Sequence, residues 1–318
     1  METERSGLQQ VIENIERVVV GKREEIELSL TALLAKGHVL LEDVPGVGKT
    51  MMVRAIARSI GADFKRIQFT PDLLPSDVSG VSIYNQKTQS FEFRAGPVMS
   101  NVVLADEINR TSPKTQSSLL EALEEGSVTI DGQTRDLEQP FFVMATQNPI
   151  EYGGTYPLPE AQLDRFLFKL KMGYPTYEEE LSVLNRVEQN HPIQELHEVL
   201  SLEDILKMQE QVASVYVDDA VKQYIISIVN ETRTHRDVQL GVSPRGSIAL
   251  MKASQAFAFL HGRDYVIPDD IKRLAPVALS HRIILRSDLQ MVEKDGEDVI
   301  RDILSTLRVP LAGKEAVQ

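Results

Sequence analysis

Eight consecutive residues, Asp43-Val44-Pro45-Gly46-Val47-Gly48-Lys49-Thr50, place two glycines, a lysine and a hydroxyl between a short apolar run and a helical pattern. Glycines in such a turn free the backbone to converge its N–H groups on an anion, and the following helix adds the positive end of its dipole. Lys49 is then positioned to reach β- and γ-phosphates, and the Thr50 hydroxyl to ligate Mg²⁺. The cradle expected for the phosphates runs from Asp43 to Met51; the Met51 and Met52 side chains read most simply as core packing. The common form of this loop opens on glycine, where this chain has Asp43. An acid so near phosphate must turn its carboxylate away and line the loop with backbone alone.

A second group lies downstream. Val102-Val103-Leu104-Ala105 runs into Asp106-Glu107, two acids at the carboxyl end of a buried strand, the edge where open α/β sheets bind ligands. Asp106 would hold Mg²⁺ through water, because Mg²⁺ keeps much of its hydration shell, and Glu107 would polarise an attacking water. Taken alone, the same string describes a strand ending in solvated acids; the phosphate loop before it favours the nucleotide reading. Ala145-Thr146-Gln147-Asn148-Pro149 closes another apolar run. Asn148 could orient water there, and it is equally a turn residue before proline. Arg165, in Leu163-Asp164-Arg165-Phe166, is by itself a charged residue before a strand. Arg245, in Gly241-Val242-Ser243-Pro244-Arg245-Gly246, stands at the start of a helix capped by Ser243 and is equally a surface arginine.

The elements that must position these groups follow from periodicity. Leu8, Val11, Ile12, Ile15, Val18 and Val19 form one helical stripe, and a second helix runs through Ile26 to Leu34 after a break at Gly21. Apolar runs at 38–41, 64–69, 102–105, 141–145 and 166–170 alternate with helices and predict a five-stranded parallel sheet covered on both faces. Residues 80–93 and 126–138 alternate with period two around polar turns, the second at Asp131-Gly132, and predict two hairpins inserted into this core. Ser112-Pro113 predicts a capped helix start between them. After Gly173-Tyr174-Pro175 the pattern is helical throughout, so a boundary is expected near 174: an α/β core over 1–174 and an all-α lid over 175–318.

Composition narrows the classes of function. Among 318 residues, 34 Lys+Arg against 47 Asp+Glu leave a net charge of −13, which argues against a dedicated nucleic-acid binder. The absence of cysteine excludes disulfides, thiolate metal sites and thiol nucleophiles. The six histidines show no metal-ligand spacing; His281 beside Arg282 reads as a helix-end residue. The run Tyr177-Glu178-Glu179-Glu180 reads as a solvated first turn. With no membrane span and no apolar leader, the protein is expected to be cytoplasmic.

The ordered set of phosphate loop, Asp106-Glu107, Asn148, Asp164-Arg165-Phe166 and Ser243-Pro244-Arg245 resembles an AAA+ ATPase, and more narrowly the MoxR family. LLEDVPGVGKT, ADEINR through SPKTQSSLLEALEE, ATQNPIEYGGTYPLPEAQLDRF and GVSPRG carry the likeness over roughly residues 6 to 310, and Asp43 is itself the family's habit. The resemblance implies an ATP/ADP site with Mg²⁺ on a P-loop AAA+ core. Asn148 matches the first nucleotide sensor, Arg165 the arginine finger inserted into a neighbouring subunit's site, and Arg245 the second sensor on the lid. Val19, Val20 and Gly21 match the stretch that packs on adenine, and the hairpins match insertions that face a ring's pore and engage client protein. It further implies a homo-oligomer, a hexameric ring, with a von Willebrand factor A-domain partner and a client protein. The leading expectation is ATP-driven, chaperone-like remodelling, maturation or cofactor insertion. Alternatives are the motor subunit of a metal chelatase and a nucleotide-gated binding switch; a DNA motor ranks last, because of the −13 charge and because residues 80–93 carry only Lys87, and 126–138 only Arg135, as basic residues.

Overall fold

The computed structural model describes residues 2–44, 46–148, 155–189, 192–286 and 294–309. Helices α1 (Glu2–Glu16) and α2 (Arg23–Leu34) lead into β1 (Val39–Glu42), α3 (Lys49–Ser59), β2 (Phe64–Gln68) and the short α4 (Pro75–Ser79). A hairpin of β3 (Gly80–Asn85) and β4 (Ser90–Ala95) precedes β5 (Val102–Asp106) and α5 (Pro113–Glu125). A second hairpin, β6 (Ser127–Ile130) and β7 (Gln133–Asp136), precedes β8 (Phe142–Gln147), α6 (Glu160–Leu163) and β9 (Phe168–Leu170). The remaining elements are α7 (Tyr177–Gln189), α8 (Leu202–Val212), α9 (Asp219–Thr234), β10 (Val238–Leu240), α10 (Pro244–Leu260), α11 (Pro268–Leu279), β11 (Ile284–Leu285) and α12 (Gly296–Thr306).

The five strands expected to form the sheet do so, all parallel, in the order β2-β5-β8-β1-β9. Alternation along each strand sorts side chains to opposite faces. Val39, Leu41, Val102, Leu104, Phe142 and Met144 join α1, α2, α3 and the later helices in one buried cluster. Leu40, Val103, Ala105, Val143 and Ala145 meet Leu119, Leu120 and Leu123 of α5 on the other face. β2 is an edge strand, and its Lys65 and Arg66 are exposed as an edge tolerates. Both hairpins are present, and Asp131 (φ 51°) and Gly132 (φ 75°) take the left-handed pair a tight two-residue turn needs.

Three local expectations are corrected. Among the described residues the helices of the lid are joined by a ladder in which Val238 and Leu240 pair antiparallel with Leu285 and Ile284, and by a parallel bridge of Tyr216 with Tyr265; such short pairings show no period. Ser112 occupies the N-cap position of α5, but its hydroxyl lies 3.4 Å from the Thr115 hydroxyl and caps no backbone N–H. Ser243 likewise leaves α10 without a side-chain cap, because its hydroxyl turns to Asp164 Oδ2 at 3.4 Å.

His38 ties three elements beneath the sheet. Its Nδ1 accepts from the Val143 N–H at 3.1 Å, its Nε2 lies 3.2 Å from the Leu123 carbonyl, and Phe141 packs edge-on at 5.5 Å. Burial pushes its pKa down to about 4, so the ring is neutral in the fold, while an unfolded chain protonates near 6.5. Stability from this group is therefore complete above 6.5 and is lost as pH falls toward 4, by about 3 kcal/mol. Urea unfolding across that window should show the loss in the wild type and a shallower slope in His38→Gln; identical slopes would remove His38 as its source.

Candidate active site

The phosphate loop is built by β1 delivering Asp43 and Val44, with Gly46 (φ 91°) and Gly48 (φ 94°) in left-handed backbone that side chains rarely adopt. Pro45 lies outside the described residues. Gly48 is the N-cap of α3 and supplies no side-chain cap, so the first-turn N–H groups are left for a ligand. Lys49 Nζ donates to the Asp43 carbonyl at 2.9 Å. Burial lowers the Lys49 pKa, and the charges of Asp43, Asp106 and Glu107 oppose that shift. The Asp43 carboxylate does turn away from the loop's mouth: Oδ1 accepts from the Val44 N–H at 2.8 Å and Oδ2 from the Gly173 N–H at 2.6 Å.

Across a cavity of about 370 Å³ from Lys49 and Thr50 stand Asp106, Glu107 and Asn148. Thr146 on β8 joins the two acids, donating to Asp106 Oδ1 at 2.6 Å and accepting from the Glu107 N–H at 2.8 Å. Glu107 itself sits in left-handed backbone, φ 58° and ψ 49°. Two cations and an amide hold the same acids, Arg66 and Gln68 from the lining of the cavity itself: Arg66 donates to Asp106 Oδ2 at 2.5 and 3.1 Å, and Gln68 (2.9 Å) and Arg110 (2.7 Å) to Glu107 Oε2. Arg66, Gln68, Arg110 and Thr146 were not among the expected site residues. Register places two of them, Gln68 opposite Asp106 and Thr146 just after Ala145 opposite Ala105, while Arg110 meets Glu107 three residues away along the chain. The oxygen donors of Thr50 and Asp106 lining one cavity fit a hard cation such as Mg²⁺. A carboxylate offers about four lone-pair sites, so Asp106 can keep its present partners and still accept from metal-bound water.

A second cavity of about 310 Å³ shares Gly46, Gly48 and Met51 with the first. Val18, Val19 and Val20 wall one side, and Pro175, Glu180, Val183 and Arg186, at and before α7, the other. This slot lies beside the phosphate loop, and its lining joins the valines and Met51 to the charged Lys22, Glu180 and Arg186. Met51 lines it, whereas Met52 is wholly buried in the core, so the two methionines separate in role. Gly21 (φ 70°) does not line the slot; a Cβ there would fall 1.7 Å from the Glu179 carboxylate. Glu179 also bonds the Thr176 N–H at 2.8 Å, so that acidic turn is not merely solvated. Arg186 donates to the carbonyls of Glu16 (3.1 Å) and Arg17 (2.6 Å), closing the end of α1 against α7.

The two further arginines are elsewhere and together. Arg165 donates to the Leu120 carbonyl at 2.5 Å and pairs with Glu124 Oε2 at 2.9 Å; Arg245 pairs with Glu124 Oε1 at 3.1 Å. Neither lines the chain's own phosphate cavity. The two arginines thus meet on one carboxylate of α5. The cause is the lid's anchorage: buried Arg282 donates to Asp164 Oδ1 (2.6 Å) and to the carbonyls of Phe166 (2.7 Å) and Leu167 (3.2 Å), drawing the start of α10 beside Arg165. His281 also faces the Phe166 carbonyl at 3.0 Å; burial drives its pKa far down, so it is a neutral core residue rather than a helix-end charge. Tertiary folding does gather His235 with Asp237 and Asp302, but the Lys294 ammonium already bridges the two carboxylates at 2.8 and 2.7 Å.

Breaking a buried pair by removing one partner costs on the order of 3–5 kcal/mol. Arg282→Met should therefore destabilise the protein by about that amount in denaturant unfolding, and Asp164→Asn in the same background should recover part of it. A loss below about 1 kcal/mol would show that the anchor is not energetically important.

Known proteins resemble this chain over most of its length. Residues 38–168 match the ATPase family associated with various cellular activities (AAA), and residues 230–303 match the AAA lid domain. YeaC of Bacillus subtilis (strain 168) is 67% identical over 304 residues, 96% of this chain and 95% of that protein. Chaperone MoxR1 of Mycobacterium tuberculosis is 45% identical over 312 residues, 95% of this chain and 82% of that protein. Protein MoxR of Methylorubrum extorquens is 30% identical over 322 residues, 93% of each. A crystal structure of a proposed ATPase from Cytophaga hutchinsonii superposes with a TM-score of 0.91 at 41% identity, covering 97% of this chain and 96% of that one. The chain belongs to the MoxR family of AAA+ ATPases.

Proposed function

We propose that this ATPase is Mg²⁺-dependent, that its hydrolytic site is completed by a neighbouring copy in a ring, and that the cycle remodels a partner protein. The observation that carries this reading is the division of charged groups. Lys49, Thr50, Asp106, Glu107 and Asn148 line one cavity, while Arg165 and Arg245 share Glu124 outside it. In the proposed cycle the backbone of the loop and Lys49 hold the β- and γ-phosphates, the valines at 18–20 and Met51 pack the base, Glu107 polarises water and Asn148 orients it. Mg²⁺, held by Thr50 and Asp106, would neutralise charge on the phosphates. Arg165 and Arg245 are presented as a pair to the next copy's nucleotide, where an arginine in trans is worth on the order of 10³–10⁵ in rate. Phosphoryl transfer would then move a lid over 175–318 against a core over 1–174 about the joint near residue 174.

The hairpins support a protein client. Tyr84 and Phe91 stack edge-to-face at 5.4 Å, and Phe91 is 73% exposed. The Arg135 guanidinium lies 4.1 Å over the Phe93 ring, linking the hairpins so that they would move together. One relative bears the name chaperone, which supports remodelling as the use of the cycle. Among the described residues, no helix is long and apolar enough to cross a membrane. A hexameric ring, a von Willebrand factor A-domain partner, maturation or cofactor insertion in a client, and action in the cytoplasm complete the proposal.

Glu107→Gln should keep ATP binding by calorimetry and lose on the order of 10²–10⁴ in turnover. Arg165→Ala should lose hydrolysis by itself and regain part of it when mixed with Glu107→Gln, because each copy supplies what the other lacks. Wild-type turnover in Arg165→Ala alone, or no recovery on mixing, would overturn completion in trans.

A further inference from the structure

Asp43 touches more than the phosphate loop. It is 8% exposed, its carbonyl accepts from Lys49 Nζ at 2.9 Å, and its carboxylate reaches across β1 and β9 to the Gly173 N–H at 2.6 Å. That N–H belongs to the Met172–Gly173 peptide, the last before the chain turns through Tyr174 and Pro175 into α7. The carbonyl of the same peptide accepts from Lys22 Nζ at 2.5 Å. Lys22 lines the second cavity and Asp43 the first, so one peptide group is gripped at both ends by residues from the two cavities. Gly173 takes φ 63° with nothing within 4 Å of a Cβ position, so the joint depends on left-handed backbone rather than on packing around that carbon.

We propose that Asp43 is a positioning residue that couples the phosphate loop to the core–lid joint through the Met172–Gly173 peptide, with Lys22 holding the other end. The proposal rests on the nucleotide reading of the loop. Phosphate oxygens that draw Lys49 Nζ off the Asp43 carbonyl change how residue 43 is held. The carboxylate passes that change to Gly173, and from there to α7, which walls the second cavity. By linkage the coupling is reciprocal: a lid position that favours the Asp43–Gly173 bond favours the nucleotide state that preserves it. A glycine at position 43, the commoner residue in such loops, would keep the carbonyl contact and lose this transmission.

The test is amide hydrogen exchange on the full chain with ADP and with a non-hydrolysable ATP analogue. It follows residues 171–176 and, as the report of binding, α3. In the wild type the Gly173 amide should be protected and should change rate between the two nucleotides. In Asp43→Asn, whose single carbonyl oxygen cannot serve both N–H groups as the carboxylate does, and in Asp43→Gly, exchange at 171–176 should quicken about 10-fold and lose its response to nucleotide. The α3 response of each variant sets the nucleotide concentration at which its site is filled, and the rates at 171–176 are compared there. A purely structural bond would quicken exchange yet leave the nucleotide response, and that result overturns the proposal. Equal wild-type rates at Gly173 with both nucleotides bound also overturn it, whether or not a variant folds. Failure of the wild type to bind either nucleotide in calorimetry would overturn the loop reading itself and this proposal with it.

Discussion

Parallel pairing of β5 with β8, with Ala105 opposite Ala145, brings Asp106 and Thr146 out at the same edge of the sheet. From that register the rest of the site follows. Thr146 then bridges Asp106 and the Glu107 N–H, β2 sets Gln68 opposite Asp106, and β1 pairs Glu42 with Gln147, so the loop after β1 opens at the same level as the acids. A slip of one residue would turn every buried side chain of a strand to its other face, and the two buried clusters forbid it. The apolar core and the placement of the acids are thus one constraint.

The same edge explains how separate parts of the chain come to act on one ligand. The phosphate loop and acids belong to the sheet, whereas the second cavity is walled by the turn after α1 on one side and α7 on the other. Arg186 holds α7 to the end of α1, and Arg282 holds the lid to the segment carrying Arg165. The lid is therefore attached at two distinct places. One lies against the second cavity and the other beside the pair of arginines on Glu124.

Local chemistry was legible in the residues, and contacts across the fold were not. The glycines, lysine and hydroxyl of 46–50 announce a phosphate loop because strand, turn and helix are contiguous, and Asp131-Gly132 announces a hairpin for the same reason. The five strands could be counted from their apolar runs. Thr146 and Arg66, by contrast, matter only through neighbours across the sheet, Arg282 only through carbonyls more than a hundred residues earlier, and Arg245 only through a carboxylate on α5. Capping serines misled for a related reason: the preference of Ser112 and Ser243 for the cap position held, but a nearer hydroxyl and a carboxylate took their side chains.

We propose that nucleotide hydrolysis here belongs to an assembly and not to a single chain, because Arg165 and Arg245 lie outside the cavity that holds Lys49 and Glu107. The direct measurement is steady-state ATP hydrolysis per mole of protein, in Mg²⁺, across a wide series of wild-type concentrations with particle size recorded at each. Completion of the site by a neighbouring copy predicts specific activity that rises with concentration and levels off as the larger species fills. Activity per mole that stays constant down to concentrations where only single chains remain would contradict it.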